Sequence, residues 1–338
     1  MFERYEKQIN YEKIGHQGQA LLEKSKVLIV GCGALGTVVA NNLVRMGIGH
    51  IRIVDRDFVE ITNLHRQILF DEEDVKENRP KAKSAEAKLK KINSDIKIEG
   101  LVKEVNSRTL EGLIEGMDLI IDCTDNFKTR YLINDVAFKY NLPWVYGGAL
   151  GSSGMMKFFI PKEKKGCFQC AFPKPPESGS LPTCDTVGVV NTLTAIVGSL
   201  ESNEALKYFL GKIDEVEKNL VFIDLWDNTF EKIPQQKNEA CPCCVEGKFV
   251  YLEDKRAESI YICGQNSIQI DLGDTTMNLK EIQHRLEKNN ILSRLNLSLL
   301  SFEVEGVEVK LFKDGRAIMK NVKNEEVAKS IYAKYIGY

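Results

Sequence analysis

Lys26-Val27-Leu28-Ile29-Val30-Gly31-Cys32-Gly33-Ala34-Leu35-Gly36 is the stretch that decides the fold. A short apolar run closes on G-x-G-x-x-G, and a helical pattern opens inside it, from about Ala34 to Met46. Strand, glycine turn and helix in that order begin a βαβ unit suited to holding a phosphate. Gly31 makes the tight turn, Gly33 lets the backbone approach a ligand, and Gly36 completes the motif. The helix N-terminus then offers unpaired N–H groups to an anion. A second apolar run, Ile51 to Val54, ends at Asp55, roughly 20 residues on, where a carboxylate can accept hydrogen bonds from ribose hydroxyls. These residues alone leave the ligand as either NAD or ATP, so a dehydrogenase stays open.

Working outward, Asp118–Asp122 and Leu142–Tyr146 read as further buried strands. A Lys/Ala/Glu-rich helix follows Pro80, and another helix begins near Asn126. Strands alternating with helices predict an α/β, Rossmann-like, mainly parallel sheet with flanking helices. The polar first 25 residues read as an outer helical layer. Beyond Gly151 come a strand (Met155–Ile160), a Cys/Pro/Ser/Gly-rich loop (Gly166–Thr186), a long helix (about Val189–Leu210) and a strand (Leu220–Leu225). From about Glu253 hairpins alternate with helices. The expected organisation is a domain at 1–250 and a small α+β domain at 253–338.

Composition narrows the function. The chain has 338 residues, 43% of them hydrophobic, which is ample for a buried core, and a net charge of −2. No global basic field calls for nucleic acid. No apolar run reaches membrane-spanning length and the start lacks a signal-peptide core, so a cytoplasmic location with no membrane partner is expected. Nine cysteines in such a chain point to metal or catalysis rather than disulfides. Cys167 and Cys170 form one C-x-x-C, and Cys241 with Cys244 forms another inside C-P-C-C, leaving Cys243 as a spare that can exchange with a neighbour. Four thiolates in two knuckles fit tetrahedral Zn²⁺, and such a closed site is structural. A redox-active C-x-x-C and an iron–sulfur cluster are the alternatives. Cys32, Cys123 and Cys263 read as packing residues.

Four blocks then occur in order: the glycine turn, Asp55-Arg56-Asp57-Phe58-Val59-Glu60-Ile61-Thr62-Asn63-Leu64-His65-Arg66-Gln67, Pro80-Lys81, and Asp122-Cys123-Thr124-Asp125-Asn126. Together with Arg4-Tyr5-x-x-Gln8 and Gly18-Gln19, this combination resembles the ThiF/MoeB/HesA group, relatives of ubiquitin-activating enzymes, over about residues 1 to 250. The resemblance implies an adenylyltransferase that makes an acyl-adenylate from ATP and a carboxylate. Such a reaction needs no general base, because the carboxylate is already ionised at neutral pH. Its barrier is the approach of an anion to a polyanion, which cationic side chains and Mg²⁺ relieve. By resemblance Arg66 and Lys81 hold the triphosphate, and Asn63, with Gln67 beside it, orients the α-phosphate. Asp55 binds ribose, Asp57 is either a ligand contact or structural, and Asp125, next to Asn126, holds Mg²⁺. The family often has a second N-terminal arginine that reaches a neighbouring subunit's ATP; here Lys7 stands there, keeping the charge without the bidentate fork.

The resemblance further implies a ubiquitin-like sulfur carrier protein with a C-terminal Gly-Gly as partner, a homodimer, and sulfur delivery from another protein such as a cysteine desulfurase. Cys184, just before the long helix, is either a nucleophile that attacks the adenylate or holds a persulfide, or a non-essential thiol. Cys184 and the appendage favour the thiazole (thiamin) branch over the molybdopterin branch. Activation of a peptide C-terminus or another carboxylate, and a non-catalytic adaptor, are the other readings. Intact Arg66, Lys81 and Asp125 argue against the adaptor.

Overall fold

The computed structural model describes residues 3–175, 184–254, 260–262, 267–270, 277–295 and 299–337. The chain separates into two compact units, Met1–Ser180 with Val187–Asp254, and Leu181–Thr186 with Lys255–Tyr338.

The larger unit is built on strands β1 (Lys26–Val30), β2 (His50–Val54), β3 (Lys97–Leu101), β4 (Leu119–Asp122), β5 (Trp144–Leu150), β6 (Ser153–Phe159), β7 (Leu220–Asp224) and β8 (Thr229–Ile233). Their order is β3-β2-β1-β4-β5-β6-β7-β8. The first five run parallel, and β6 to β8 extend the sheet antiparallel. The sheet is therefore the α/β, mainly parallel one that the sequence predicts. Strand side chains alternate between faces. Val27 and Ile29 enter one core with Leu43 and Val197, while Leu28 and Val30 enter the other with Tyr131 and Trp144. Burial on both faces is why β1 reads as an unbroken apolar run.

The helix Ala34–Met46 ends at Gly47, whose φ of 85 closes it in the left-handed conformation. The chain builds outward from β1 to β3 and then returns to β4 on the other side of β1. That reversal opens a crevice at the C-terminal ends of β1 and β4, where ligands of open α/β sheets bind. Two glycines shape it. Gly31 has φ 93, and a Cβ there would lie 2.7 Å from the Cys123 carbonyl oxygen; a Cβ on Gly36 would lie 2.0 Å from the Gly31 oxygen.

Two strands escaped the sequence reading. β3 sits at the sheet edge with pattern Lys-Ile-Glu-Gly-Leu, burying only Ile98 and Gly100. β8 is the other edge and is largely exposed. The smaller unit is a six-stranded antiparallel sheet, ordered β11 (Ser293–Leu295), β12 (Leu299–Val304), β13 (Val307–Phe312), β14 (Ala317–Lys320), β10 (Ser267–Ile270), β9 (Ile260–Ile262). It carries helices Leu279–Lys288 and Glu325–Ile331 over its own core of Ile282, Leu311, Met319 and Ile331.

Candidate active site and four-cysteine centre

The glycine turn and the end of β2 are tied together by one carboxylate. The Cys32 N–H donates to Asp55 Oδ2 at 2.6 Å, and the Asp57 N–H donates to Asp55 Oδ1 at 2.7 Å. Burial pushes the Asp55 carboxyl up, and Lys81 works against that shift. Beside it, the isolated bridge between Phe58 and Pro80 brings the two segments into register. The Lys81 N–H donates to the Asp57 carbonyl at 2.8 Å, and its Nζ lies 3.2 Å from Asp57 Oδ2. Lys81 is 8% exposed. Burial alone would pull its ammonium down, but Asp57 and Asp55, with a smaller contribution from Asp125, hold it above the usual lysine value. Asp55, Asp57, Lys81 and Asp125 thus form one electrostatic cluster around the turn.

The segment between Asp57 and Lys81 is ordered from within. The Glu60 N–H donates to Asn63 Oδ1 at 3.1 Å, half of a capping box on the turn Ile61–Asn63. The Gln67 N–H donates to the Asn63 carbonyl. Gln67 is buried, with Oε1 lacking a partner among the described residues, and its Nε2 lies 3.9 Å from where a Cβ on Gly33 would be. A buried amide with a spare acceptor against the glycine turn is a polar group in need of a partner. Arg66 is half-buried; its Nη1 donates to the Thr62 carbonyl at 2.8 Å and lies 3.4 Å from His65 Nδ1.

At the end of β4, Asp125 is exposed. Asn126 caps the helix Phe127–Tyr140, accepting from the Thr129 N–H at 2.9 Å, so its side chain is occupied structurally. Sequence reasoning passed over what lies beneath. Asp122 Oδ1 accepts from the Thr124 N–H and hydroxyl at 3.0 and 2.6 Å. Arg130 Nη2 donates to Thr124 O at 2.7 Å and to Gly147 O at 3.3 Å, and Nε lies 3.5 Å from Asp122 Oδ2. Burial lifts Asp122 to about 6, with Arg130 opposing. The signal was the arginine one helical turn after Asn126, which faces inward.

The N-terminal motif is a staple. Gln8 Nε2 donates to Gln19 Oε1 at 2.6 Å and to Met46 O at 2.9 Å, and Gln19 Nε2 donates to Met46 O at 3.2 Å. Tyr5 is buried and its hydroxyl accepts from Asn93 Nδ2 at 2.7 Å. These contacts satisfy a carbonyl at the end of the glycine-turn helix. Lys7, by contrast, is exposed and lies 3.5 Å from Glu6.

The ligand atoms of Cys167, Cys170, Cys241 and Cys244 all lie within 4.8 Å of one another. The S···S separations are 3.9 Å (Cys167–Cys170), 3.5 Å (Cys167–Cys241) and 3.5 Å (Cys170–Cys244). Thiolates tetrahedral about zinc at about 2.3 Å would be roughly 3.8 Å apart, so the set fits a zinc ion. Cys243 is not part of it: its sulfur accepts from Asn134 Nδ2 at 3.2 Å. Asn134 also accepts from the Phe168 N–H, and Asp135 from the Gln169 amide, which fixes the first knuckle from behind. Cys32 and Cys123 are buried, whereas Cys263 and the side chain of Cys184 lie outside the described residues; the backbone of Cys184 begins the short helix Cys184–Val187.

A family model described as "ThiF family" matches residues 5–243, most of the chain. The chain belongs to the ThiF family. This ThiF-family chain is 36% identical over 338 residues to the sulfur carrier protein ThiS adenylyltransferase of Bacillus subtilis, covering 99% of each. It is 37% identical over 246 residues to the sulfur carrier protein adenylyltransferase of Thermus thermophilus, covering 72% of this chain and 90% of that one. A crystal structure of E. coli MccB with ATP superimposes with TM-score 0.63 at 24% identity, covering 72% of this chain and 74% of that one, and shows the same fold. Among the described residues, no helix of this family member is long and apolar enough to cross a membrane.

Proposed function

We propose that this chain is an adenylyltransferase that activates the C-terminal glycine carboxylate of a ubiquitin-like sulfur carrier with ATP, for thiazole synthesis. The match to a ThiS adenylyltransferase along nearly the whole chain, small unit included, is the observation that carries this reading. The carrier's carboxylate oxygen bonds to the α-phosphorus, the bond from α-phosphorus to the bridging oxygen breaks, and pyrophosphate leaves with that electron pair. Both reactants are anions, so the residues at the turn are needed for charge and orientation rather than proton transfer.

Lys81 is suited to the departing phosphates, because a buried ammonium held above its usual range stays charged at any physiological pH. Arg66 supplies the planar fork that matches a phosphate edge. Asp55 would take the ribose hydroxyls, Asn63 and Gln67 the phosphate chain, and Asp125 a Mg²⁺ ion. That ion, when bound, neutralises charge developing on the phosphate oxygens. Zinc at the four cysteines would hold structure and take no part in the chemistry. A homodimer and a separate sulfur donor complete the reading.

The test is ATP–pyrophosphate exchange with purified carriers. Exchange should appear with a carrier ending in Gly-Gly and vanish when that tail is deleted. Asp125→Ala should abolish it while the far-UV spectrum is kept. Undiminished exchange by Asp125→Ala, or none with any Gly-Gly carrier, defeats the proposal.

A further inference from the structure

Beneath the crevice three ionisable side chains meet with unequal numbers of acids and bases. Asp122 ends β4, Arg130 projects from the helix Phe127–Tyr140, and Glu201 projects from the helix Asn191–Phe209. All three are buried, Asp122 and Glu201 at 0% exposure. Two carboxyls therefore face one guanidinium. An ionised carboxylate without water or donors is too costly to bury, so one acid must carry a proton.

The hydrogen bonds say which one. Asp122 has two bonds from Thr124 and an ion pair with Arg130. Glu201 has none: neither Oε1 nor Oε2 has a partner among the described residues. Its carboxyl instead presses on the backbone of Gly147, where a Cβ would meet Oε1 at 2.4 Å and Oε2 at 2.7 Å. The Gly147 carbonyl is itself one of the two that Arg130 Nη2 grips, the other being Thr124, next to Asp125. Asp122 Oδ2 and Arg130 Nε, 3.5 Å apart as an ion pair, are the other buried atoms in this nest without a hydrogen bond among the described residues.

The groups bearing on Glu201 can be named element by element. Asp122 on β4 and Arg130 on the Phe127–Tyr140 helix are charged. Tyr146 on β5 and Cys123 after β4 also sense it. Elsewhere along the helix Asn191–Phe209, Gly198 lies against Val38, Asn42 Nδ2 donates to Ser202 Oγ at 3.4 Å, and Gly154 of β6 lies against Val197 and Leu193, none of them charged. Burial first, then Asp122, drives its acid form far above the usual carboxylate range, with Arg130 opposing.

We propose that Glu201 is a positioning residue carried as a neutral carboxylic acid, propping the Asp122–Arg130 pair from behind Gly147 and so fixing the loop that presents Asp125. The activity part rests on the adenylation reading; the protonation part does not. Glutamine has the same shape and is neutral at every pH. Glu201→Gln should therefore keep exchange within about twofold of wild type near neutrality. It should also lack any alkaline fall in exchange that comes from ionisation of Glu201. Glu201→Ala should lower kcat with KM for ATP little changed, and Glu201→Gln should restore it.

Infrared difference spectra of wild type minus Glu201→Gln should show a protonated carboxyl C=O band at neutral pH. That measurement needs no activity and no alanine variant. Absence of the band overturns the proposal, as does a glutamine variant as impaired as alanine. Should wild type exchange with no carrier, the adenylation reading fails while the infrared result still decides the protonation of Glu201.

Discussion

Replacing Lys81 with methionine removes one charge and keeps most of the side chain's volume, so its two consequences separate. The ammonium is 3.2 Å from Asp57 Oδ2 in a side chain only 10% exposed, whereas Asp57 is 49% exposed. Removing one partner of a fully buried pair costs about 3–5 kcal/mol, but water reaches Asp57 and Arg56 Nε stays 3.7 Å from its Oδ1, which reduces the loss to about 1 kcal/mol. For a unit of this size that is a fall in Tm of roughly 2–4 °C. The loss in chemistry is larger. A fixed cation facing developing phosphate charge contributes about 3–4 kcal/mol, so exchange should fall about 10²–10³-fold. Differential scanning fluorimetry and pyrophosphate exchange read the two effects. Adding Asp57→Asn should recover most of the Tm and none of the exchange. A Lys81→Met enzyme within tenfold of wild type, or a double variant that regains activity, would refute the assignment of Lys81 to the triphosphate.

Other outcomes follow from single observations. Lys157 is buried, donates to the Lys218 carbonyl at 2.5 Å, and is pulled down by burial to about 8. Its folded value is below the unfolded one, so its cost is full below about pH 8 and disappears as pH rises through about 10.5. Lys157→Met should accordingly stabilise the protein by about 1–2 kcal/mol at pH 7, after the lost hydrogen bond is subtracted, and by little at pH 10 in urea melts. Cys244→Ser should reduce zinc from about one ion per chain by elemental analysis and lower Tm, without a colour change that would betray iron. Gly36→Ala puts a Cβ 2.0 Å from the Gly31 oxygen, and should cost at least about 2 kcal/mol and abolish ATP protection in thermal melts.

The parts of the fold legible in the sequence were those where one local pattern decides structure. β1, the glycine turn and the helix Ala34–Met46 are continuous in chain and in space, and apolar residues on both strand faces mark a central strand. β3 and β8 are edge strands that bury one face or less, so their sequences carry Lys and Glu and look like loop. The four-cysteine cluster was legible because two C-x-x-C knuckles have few other uses; its supports Asn134 and Asp135 were not, since a polar residue in a helix gives no sign of facing inward. The same holds for Arg130 and Glu201, whose roles arise from packing between elements far apart in sequence. Asn126 resembles a ligand by motif, yet its side chain is taken up as a helix cap.

The cysteine centre has a topological effect. Cys167 and Cys241 are 74 positions apart and meet at 3.5 Å, so a metal there would close the chain into a ring. That ring includes β7, β8 and the helix that carries Glu201. By analogy with a covalent cross-link over such a span, the closure restricts the unfolded chain by roughly 4 kcal/mol. Chelation would therefore lower the stability of the larger unit as a whole, by widening what its unfolded chain can explore, while β7 and that helix stay held by the sheet and the core.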